Sequence, residues 1–242
     1  MDLVERLAAA GCVAADEEAG MLTEAAGGDP GRLDALVRRR EAGEPVEWIV
    51  GWAPFCGLRV IVHPGVYVPR VQTEVLARRA AGALPEGGIA VDLATGSGAV
   101  ALVLQAAGAA VVATELDPAA AVCARANGIT VHEGDLDDPL PTHYERRVDV
   151  LTANVPYVPT GAIALLPRDV QHHEPRLALD GGPDGLDLVR RVLAVAPRWL
   201  RPGTGRLFVE IGPDQASAFP DLVHLRDEEG DVRALELHAE QA

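Results

Sequence analysis

The chain has 242 residues, 48% of them hydrophobic, which is enough for one domain with a substantial core and an accessory segment. Its formal net charge is −15, and all 21 basic residues are arginine. Proteins that bind a long stretch of nucleic acid normally present a net basic surface, so we expect no direct nucleic-acid binding. The three cysteines show neither metal-ligand nor disulfide spacing, and the longest apolar stretch, residues 99–113, is too short to span a bilayer, so we expect a cytoplasmic protein without a membrane segment.

Residues 1–43 are predicted to form a small helical domain. Apolar residues recur there at helical spacing in two groups, separated by the turn signal at residues 29–31. Residues 44–74 are predicted to form a linker, because residues 44–68 alternate like short strands and Gly57 marks a turn between them.

Residues 75–242 are predicted to form one α/β domain. Its five apolar strands are predicted at residues 89–93, 110–114, 129–131, 148–153 and 206–211. Helices are predicted between them, one over residues 98–105 and one that begins at Asp117, with Pro118 in its first turn. The alternation indicates a doubly wound, mostly parallel sheet covered by helices on both faces. Residues 222–225 and 232–237 are predicted to add an antiparallel edge hairpin.

The turn after the first predicted strand has the composition of a cofactor-binding loop. Gly96 and Gly98 let the backbone approach a ligand closely, and the start of the next helix adds unpaired N–H donors. Glu115 closes the second strand, where an acidic side chain accepts hydrogen bonds from ribose hydroxyls. Asp135 and Leu136 follow the third strand, suitably placed for an adenine amino group and ring face. The residues predicted to hold this adenosyl ligand are Asp92, Ala94, Thr95, Gly96, Ser97, Gly98, Glu115, Asp135, Leu136 and Asn154.

The fourth predicted strand delivers the tetrapeptide Asn154-Val155-Pro156-Tyr157 to the same edge of the sheet. The Asn154 side chain and the neighbouring main-chain carbonyl can accept hydrogen bonds from one planar –NH2 group. Pro156 restricts the backbone, and Tyr157 offers a flat face to a planar substrate. Alone, the tetrapeptide fits a turn, a site for an extruded base or a site for a glutamine amide. Its convergence with the cofactor loop favours a group transfer.

With these motifs in this order, the chain resembles the protein-(glutamine-N5) methyltransferases, the HemK/PrmC group that modifies peptide-release factors. The resemblance covers nearly the whole chain and is carried by residues 44–55, 68–74, 92–98, 154–157, 174–186 and 210–215. It implies a class I methyltransferase fold, Rossmann-like, with a seven-stranded mostly parallel sheet and S-adenosylmethionine as cofactor. It also implies methylation of a glutamine N5, in the Gly-Gly-Gln motif of a release factor or in another translation protein. Residues 1–43 would engage that protein substrate, and we expect a monomer.

The resemblance also implies roles for the tetrapeptide. Asn154, Pro156 and Tyr157 are expected to be catalytic, and together with Val155 they are expected to bind the glutamine. Val155 departs from the Asn-Pro-Pro-Tyr that is usual in the family; its main-chain carbonyl survives the change, whereas loop rigidity and local shape differ. It matches a related branch that carries a small or β-branched residue there. The helical N-terminal region is also shorter than the family's usual bundle, which bears on the protein partner.

Three other functions compete with this interpretation. An adenine or cytosine amino-methyltransferase uses a similar loop but usually carries a basic target-recognition region, and the net charge argues against it. A small-molecule methyltransferase of specialised metabolism is the second alternative. The third is a cofactor-binding protein without catalysis, which the presence of both the glycine turn and the tetrapeptide disfavours. The histidines, His172 and His173 included, lack the further ligands that a metal site needs, so no metal is predicted.

Overall fold

The computed structural model describes residues 2–240, without the side chains of residues 168 and 169, so the outermost residues of the predicted first and last segments lie outside the described residues. Its N-terminal part consists of three helices, α1 (Leu3–Ala9), α2 (Ala15–Ala26) and α3 (Pro30–Glu41). Asp2 and Asp29 cap α1 and α3 by accepting hydrogen bonds from backbone N–H groups of the first turn. The three helices pack around an apolar core, which Val46 and Ile49 of the following segment complete.

The linker differs from the prediction over its first residues. Residues expected to alternate as strands form a short helix, α4 (Val46–Val50), which ends at Gly51 in the left-handed conformation with φ of 86°. The helix buries two adjacent side chains against different neighbours: Ile49 packs in the N-terminal core, and Trp48 packs in a separate cluster beside the following strands. The predicted hairpin follows as the antiparallel strands β1 (Trp52–Phe55) and β2 (Leu58–Ile61).

The rest of the chain forms a seven-stranded, mostly parallel sheet, which confirms the predicted fold class. The sheet order is β5-β4-β3-β6-β7-β9-β8, with β9 antiparallel to both of its neighbours. Its strands are β3 (Ile89–Leu93), β4 (Ala110–Glu115), β5 (Val131–Glu133), β6 (Val150–Ala153), β7 (Arg206–Glu210), β8 (Val223–Arg226) and β9 (Val232–His238). The helices of this part are α5 (Thr73–Gly82), α6 (Ala99–Ala106), α7 (Pro118–Ala126), α8 (Arg168–His173) and α9 (Asp187–Trp199).

Helices cover both faces of the sheet because adjacent residues of each strand point to opposite sides. Val91 of β3 and Leu151 of β6 belong to the core under α9, whereas their neighbours Ala90 and Val150 belong to the core under α5 and α6. Fully buried strands of this kind are typical of parallel sheets, and they explain the continuous apolar runs in the sequence.

The third strand of the sequence prediction is displaced by two residues. Ile129 was expected to open it, but its N–H donates to the carbonyl of Ala124, so it closes the connection from α7. Pairing with β4 begins only at Val131, opposite Ala113. Ile129 is buried all the same, against α6 and α7, and an apolar residue directly before a short strand cannot be separated from that strand by pattern alone.

The topology places a crevice at the carboxyl ends of β3 and β6. These two strands are neighbours at the centre of the sheet, and the chain builds outward from β3 to β5 before it returns to β6 and β7. Such a reversal of strand order opens a crevice where ligands bind in open α/β sheets. Across residues 2–240, no helix has the length and apolar character needed to cross a membrane.

Candidate active site

A cavity of about 230 Å³ lies in this crevice. Nine of the residues predicted to form the site line it: Ala94, Gly96, Glu115, Asp135, Leu136, Asn154, Val155, Pro156 and Tyr157. The predicted cofactor residues Asp92, Thr95, Ser97 and Gly98 are not among the lining residues. The structure therefore brings the glycine turn, the strand-end carboxylates and the tetrapeptide to one cavity, which part of the turn does not line.

The glycine turn between β3 and α6 is shaped by residues in the left-handed conformation. Ala94, Gly96 and Gly98 have φ of 52°, 59° and 84°. A Cβ on Gly98 would lie 3.1 Å from the Ile129 side chain and 3.2 Å from that of Ala124, so this glycine allows α6 to pack against the end of α7. The backbone N–H of Gly96 donates to Oε2 of Glu115 at 2.7 Å, which ties the turn to the end of β4.

Asp92 supports the turn from below. Its carboxylate is buried and accepts hydrogen bonds of 2.6 Å from the hydroxyls of Thr95 and Thr152. Burial raises the pKa of Asp92 to about 6, although both threonine hydrogen bonds favour its charged form. The side chain of Asp92 therefore fixes the turn to β6 in this structure.

Glu115 and its neighbours have the chemistry that an adenosyl group requires. Glu115 is 8% exposed as a whole residue, and its carboxylate accepts from the N–H groups of Gly96 and Asp117 at 2.7 and 2.8 Å, one on each oxygen. A carboxylate has about four acceptor positions, so these contacts leave it able to accept from a ribose hydroxyl as well. Leu116, 47% exposed, and Leu136 supply apolar surface for a flat ring. This donor and acceptor set fits S-adenosylmethionine.

Asp135 lines the same end of the cavity, but it already has a partner. Its Oδ2 accepts from Nη2 of Arg191, on α9, at 2.8 Å, and both side chains are nearly half exposed. The predicted contact of Asp135 with an adenine amino group therefore shares this carboxylate with a surface ion pair.

The tetrapeptide presents two free acceptor oxygens beside the cavity. The Nδ2 of Asn154 donates to the Thr73 hydroxyl at 3.3 Å, which leaves Oδ1 on the other side of the amide. Within residues 2–240, neither this Oδ1 nor the main-chain carbonyl of Val155 accepts a hydrogen bond from the protein. Val155 is 1% exposed as a whole residue, and its side chain packs in the core under α9. The Tyr157 hydroxyl donates to Glu210 at 3.0 Å.

Residues far along the chain support the tetrapeptide from behind. A Cβ on Gly181 would lie 2.6 Å from the carbonyl oxygen of Pro156, and one on Gly185 would lie 2.2 Å from that of Tyr157. The side-chain amide of Gln215 donates to the same Tyr157 carbonyl at 2.9 Å. These contacts give a structural reason for Gly181, Gly185 and Gln215 in the motifs over residues 174–186 and 210–215.

Sequence reasoning missed several residues of the site, of which Tyr67, Thr73 and Glu210 matter most. Tyr67 lines the cavity, and Thr73 and Glu210 lie directly behind the tetrapeptide. Thr73 and Glu210 belong to motifs that carry the family resemblance, which was the available signal. Their roles depend on contacts between segments that no local pattern connects.

Comparison with curated proteins gives relatives that cover most of the chain. The release factor glutamine methyltransferase of Geobacter sulfurreducens is 42% identical over 189 residues, 75% of this chain and 65% of that protein. The protein of the same name from Moorella thermoacetica is 43% identical over 204 residues, 79% and 70% of the two chains. The 4-amino-L-phenylalanine/4-methylamino-L-phenylalanine methyltransferase of Streptomyces pristinaespiralis is 39% identical over 210 residues, 81% and 71%. The matched part thus spans about two thirds of these relatives' lengths. No family model matches the chain.

Solved structures share the fold at low sequence identity. The 16S rRNA N2 G1207 methyltransferase of Thermus thermophilus, solved with AdoMet and guanosine, has a TM-score of 0.53 at 22% identity, over 78% of this chain and 44% of that one. The Mtq2-Trm112 complex of E. cuniculi, which methylates the termination factor eRF1, gives 0.51 at 21% identity, over 71% and 97%. Both comparisons identify the architecture as that of a class I methyltransferase.

Proposed function

This chain belongs to the release factor glutamine methyltransferase family, the HemK/PrmC group, and we propose that it methylates the side-chain amide nitrogen of a glutamine in a peptide chain release factor. S-adenosylmethionine is the cofactor of this family and supplies, when bound, a methyl group on a positively charged sulfur. The observation that carries the proposal is the pair of free acceptors, Oδ1 of Asn154 and the carbonyl of Val155, on the wall of the cavity that fits the cofactor.

The two acceptors suit an amide nucleophile. A glutamine nitrogen is a poor nucleophile because its lone pair is delocalised into the carbonyl group. Two oxygens that accept its two hydrogens place the nitrogen and turn its lone pair toward the methyl group. As the nitrogen bonds to carbon it gains positive charge, so these hydrogen bonds strengthen in the transition state. Tyr157 covers the amide plane, and no covalent intermediate with the protein is required.

Residues 1–43 would engage the protein substrate, because their helices form a separate apolar core joined to the rest through α4 and the hairpin. We also propose a cytoplasmic monomer that binds no nucleic acid directly, in line with the net charge of −15.

A small aromatic amine is the second candidate substrate. The relative from Streptomyces pristinaespiralis carries a name that describes methylation of 4-amino-L-phenylalanine, and it is about as similar to this chain as the release factor enzymes are. An aryl –NH2 group offers the same two hydrogens to Asn154 and Val155. Unlike the glutamine amide, it needs no protein-engaging surface around the cavity.

One experiment separates the two candidates. The protein is incubated with methyl-labelled S-adenosylmethionine and, in parallel, with a release factor, with the same factor whose Gly-Gly-Gln glutamine is replaced by alanine, and with 4-amino-L-phenylalanine. We expect label on the first only, mapped to the glutamine. Label on the amino acid alone would show that the small aromatic amine is the substrate. No label on any of the three would refute both candidate substrates.

A further inference from the structure

A second cavity, of about 170 Å³, lies where the N-terminal helices, α4 and the end of α8 meet. The charged side chains that line it come from five parts of the chain: Glu18 of α2, Arg40 of α3, Glu47 of α4, Arg70 and Glu174. A space of roughly 10–15 Å³ is enough for one water molecule, so this cavity can hold the charged end of a long side chain. The methyl transfer proposed above does not involve it.

Four of these five charges are paired with one another. The two carboxylate oxygens of Glu18 accept from Arg40 at 2.6 and 3.1 Å, and Glu174 forms an ion pair with Arg70. Within the part of the chain that the structure describes, the carboxylate of Glu47 forms no ion pair and accepts no hydrogen bond from another residue. Three carboxylates thus face two guanidinium groups, and the uncompensated negative charge of the cavity is that of Glu47.

The charge of Glu47 favours a cation in the cavity. Burial raises the pKa of Glu47, because desolvation disfavours its charged form. A positively charged group nearby would offset this cost, since an opposite charge at close range stabilises the ionised carboxylate. An anion would instead meet more carboxylates than guanidinium groups.

The carboxylates of this cavity are not spaced for a metal ion. Among the described residues, the group of three potential ligands whose atoms lie within 4.8 Å of one another is Asp227, Glu229 and Asp231, in the turn between β8 and β9. An organic cation needs hydrogen-bond acceptors but no such convergence of ligand atoms. The second cavity therefore suits an ammonium or guanidinium group.

The second cavity adjoins the one that contains the tetrapeptide. The guanidinium carbon of Arg70 lies 5.2 Å from the centre of the Tyr67 ring, and Tyr67 lines the first cavity. Glu174 lines the second cavity, and the next residue, Pro175, lines the first. Extended backbone advances about 3.3 Å per residue. A polypeptide with a glutamine in the first cavity can therefore place a side chain from a nearby position in the second.

We propose that the second cavity binds a basic side chain, arginine or lysine, of the protein substrate, with Glu47 as the acceptor for its charged group. The identity of that protein rests on the proposed function, whereas the preference of the cavity for an organic cation does not. The proposal also gives residues 1–43 a direct part in recognition, because Glu18 and Arg40 form one side of the cavity. A small aromatic amine, the second candidate substrate, has no group to place there.

Binding of a cation can be detected without any methyl transfer. The chain has three tryptophans, so 15N labelling gives three indole N–H signals. Trp48 follows Glu47 in α4, and its ring centroid lies 5.8 Å from that of His173, directly before Glu174, so its signal reports on the cavity. Trp199, buried in α9, is the internal control.

We expect N-acetyl-L-arginine amide or N-acetyl-L-lysine amide to shift the Trp48 signal saturably at constant pH and to leave Trp199 unchanged. The uncharged N-acetyl-L-citrulline amide should cause no shift. Glu47→Gln should abolish the response. Glu17→Gln is the matched control, because it removes the same charge from an exposed position beside the cavity, and it should keep the response.

Three outcomes of this titration would overturn the proposal: no Trp48 shift with either charged compound, an equal shift with the citrulline compound, or an unchanged response in Glu47→Gln. Thermal unfolding adds a readout that separates binding from a structural role. Because the Glu47 carboxylate is desolvated and unpaired, Glu47→Gln should unfold at the same or a higher temperature. A clearly lower unfolding temperature would show that Glu47 supports the fold and would contradict the proposal.

Kinetics with the release factor then test the consequence for the substrate. Glu47→Gln should raise KM about tenfold, the effect of losing a hydrogen bond to a charged group, and change kcat little, because Glu47 touches no reacting atom. Glu17→Gln should leave both values unchanged. Equal KM values for Glu47→Gln and the unaltered protein would refute binding of the substrate at this cavity.

The substrate residue can be identified by a double-mutant cycle. Each arginine and lysine of the release factor near the methylated glutamine is replaced by glutamine in turn. One replacement should raise KM by a similar factor in the unaltered protein and have no further effect in Glu47→Gln. Additive effects at every position would refute the pairing. An unaltered protein that methylates no release factor would refute the proposed function alone, and the indole titration would then decide whether the cavity binds a basic side chain.

Discussion

The two halves of the cavity are built in different ways. The half that fits the cofactor comes from three consecutive strands, and the loop after each strand supplies part of it: Gly96 after β3, Leu116 after β4 and Leu136 after β5. The half that contains the tetrapeptide depends on residues distant in sequence. Asn154 contacts Thr73 across 81 positions, and Tyr157 contacts Glu210 across 53. The cofactor half is thus a local product of the α/β repeat, whereas the tetrapeptide needs the whole domain to be assembled.

The largest effect that separates the halves is expected from Asn154→Ala. The variant loses one of the two acceptors for the substrate –NH2 group, and loss of one such preorganised hydrogen bond typically costs about 10²–10³-fold in kcat. Although Asn154 is among the residues predicted to hold the cofactor, cofactor affinity should stay nearly unchanged, because Glu115 and the glycine turn form no hydrogen bond with this amide. Single-turnover kinetics and calorimetric titration with the cofactor measure the two quantities. Turnover like that of the unaltered protein would remove Asn154 from the mechanism.

A second substitution tests the support of the tetrapeptide. In Gly185→Ala the new Cβ would lie 2.2 Å from the Tyr157 carbonyl, so the loop must move, and we expect a loss of about 2–4 kcal/mol in stability together with lower kcat. Gly203→Ala is the matched control: its φ of 76° is close to the 78° of Gly185, but nothing lies within 4 Å of the new Cβ. The control should lose only the conformational cost of about 1–2 kcal/mol. Equal losses in urea unfolding would contradict the close packing.

The same contrast explains what the sequence could predict. Strand-end positions such as Gly96 and Glu115 follow from local pattern, because turns after parallel strands meet at one edge whatever the rest of the chain does. The tetrapeptide could be located, but its partners Thr73 and Glu210 could not, since neither spacing nor composition connects them. In the fold, the sheet and its antiparallel edge were predictable from apolar runs. The α4 helix was not, because it is a single turn whose burial against two neighbouring clusters overrides the local strand-like alternation.

A smaller effect, in the opposite half, is expected from Glu115→Gln. The amide replaces one carboxylate oxygen by an NH2 group that faces the N–H of Gly96 or Asp117, so at least one hydrogen bond to a charged group is lost. When the cofactor is bound, its ribose hydroxyls likewise lose a charged acceptor; a hydrogen bond to a charged group is worth about 1.5–3 kcal/mol, which corresponds to a roughly 10–100-fold weaker Kd for the cofactor. The kcat at saturating cofactor should change little, the reverse of Asn154→Ala. A Glu115→Gln variant that binds the cofactor normally but has a low kcat would show that Glu115 acts in the half that contains the tetrapeptide.

The smallest effect is expected from Asp135→Asn, within the same half as Glu115. Both carboxylates were predicted to contact the adenosyl group, but Glu115 is 8% exposed, whereas the side chain of Asp135 is 42% exposed and paired with Arg191. Exposed ion pairs contribute about 0–1 kcal/mol, and solvent screens whatever Asp135 adds to an adenine amino group. The Kd for the cofactor should therefore change less than about fivefold and respond little to salt. Arg191→Gln removes the other partner of the ion pair and should change the Kd for the cofactor as little as Asp135→Asn does. If Asp135→Asn weakened cofactor binding more than Glu115→Gln, the burial of a carboxylate would not determine its contribution to affinity. Asp135 would then contribute more through adenine recognition than its exposure predicts.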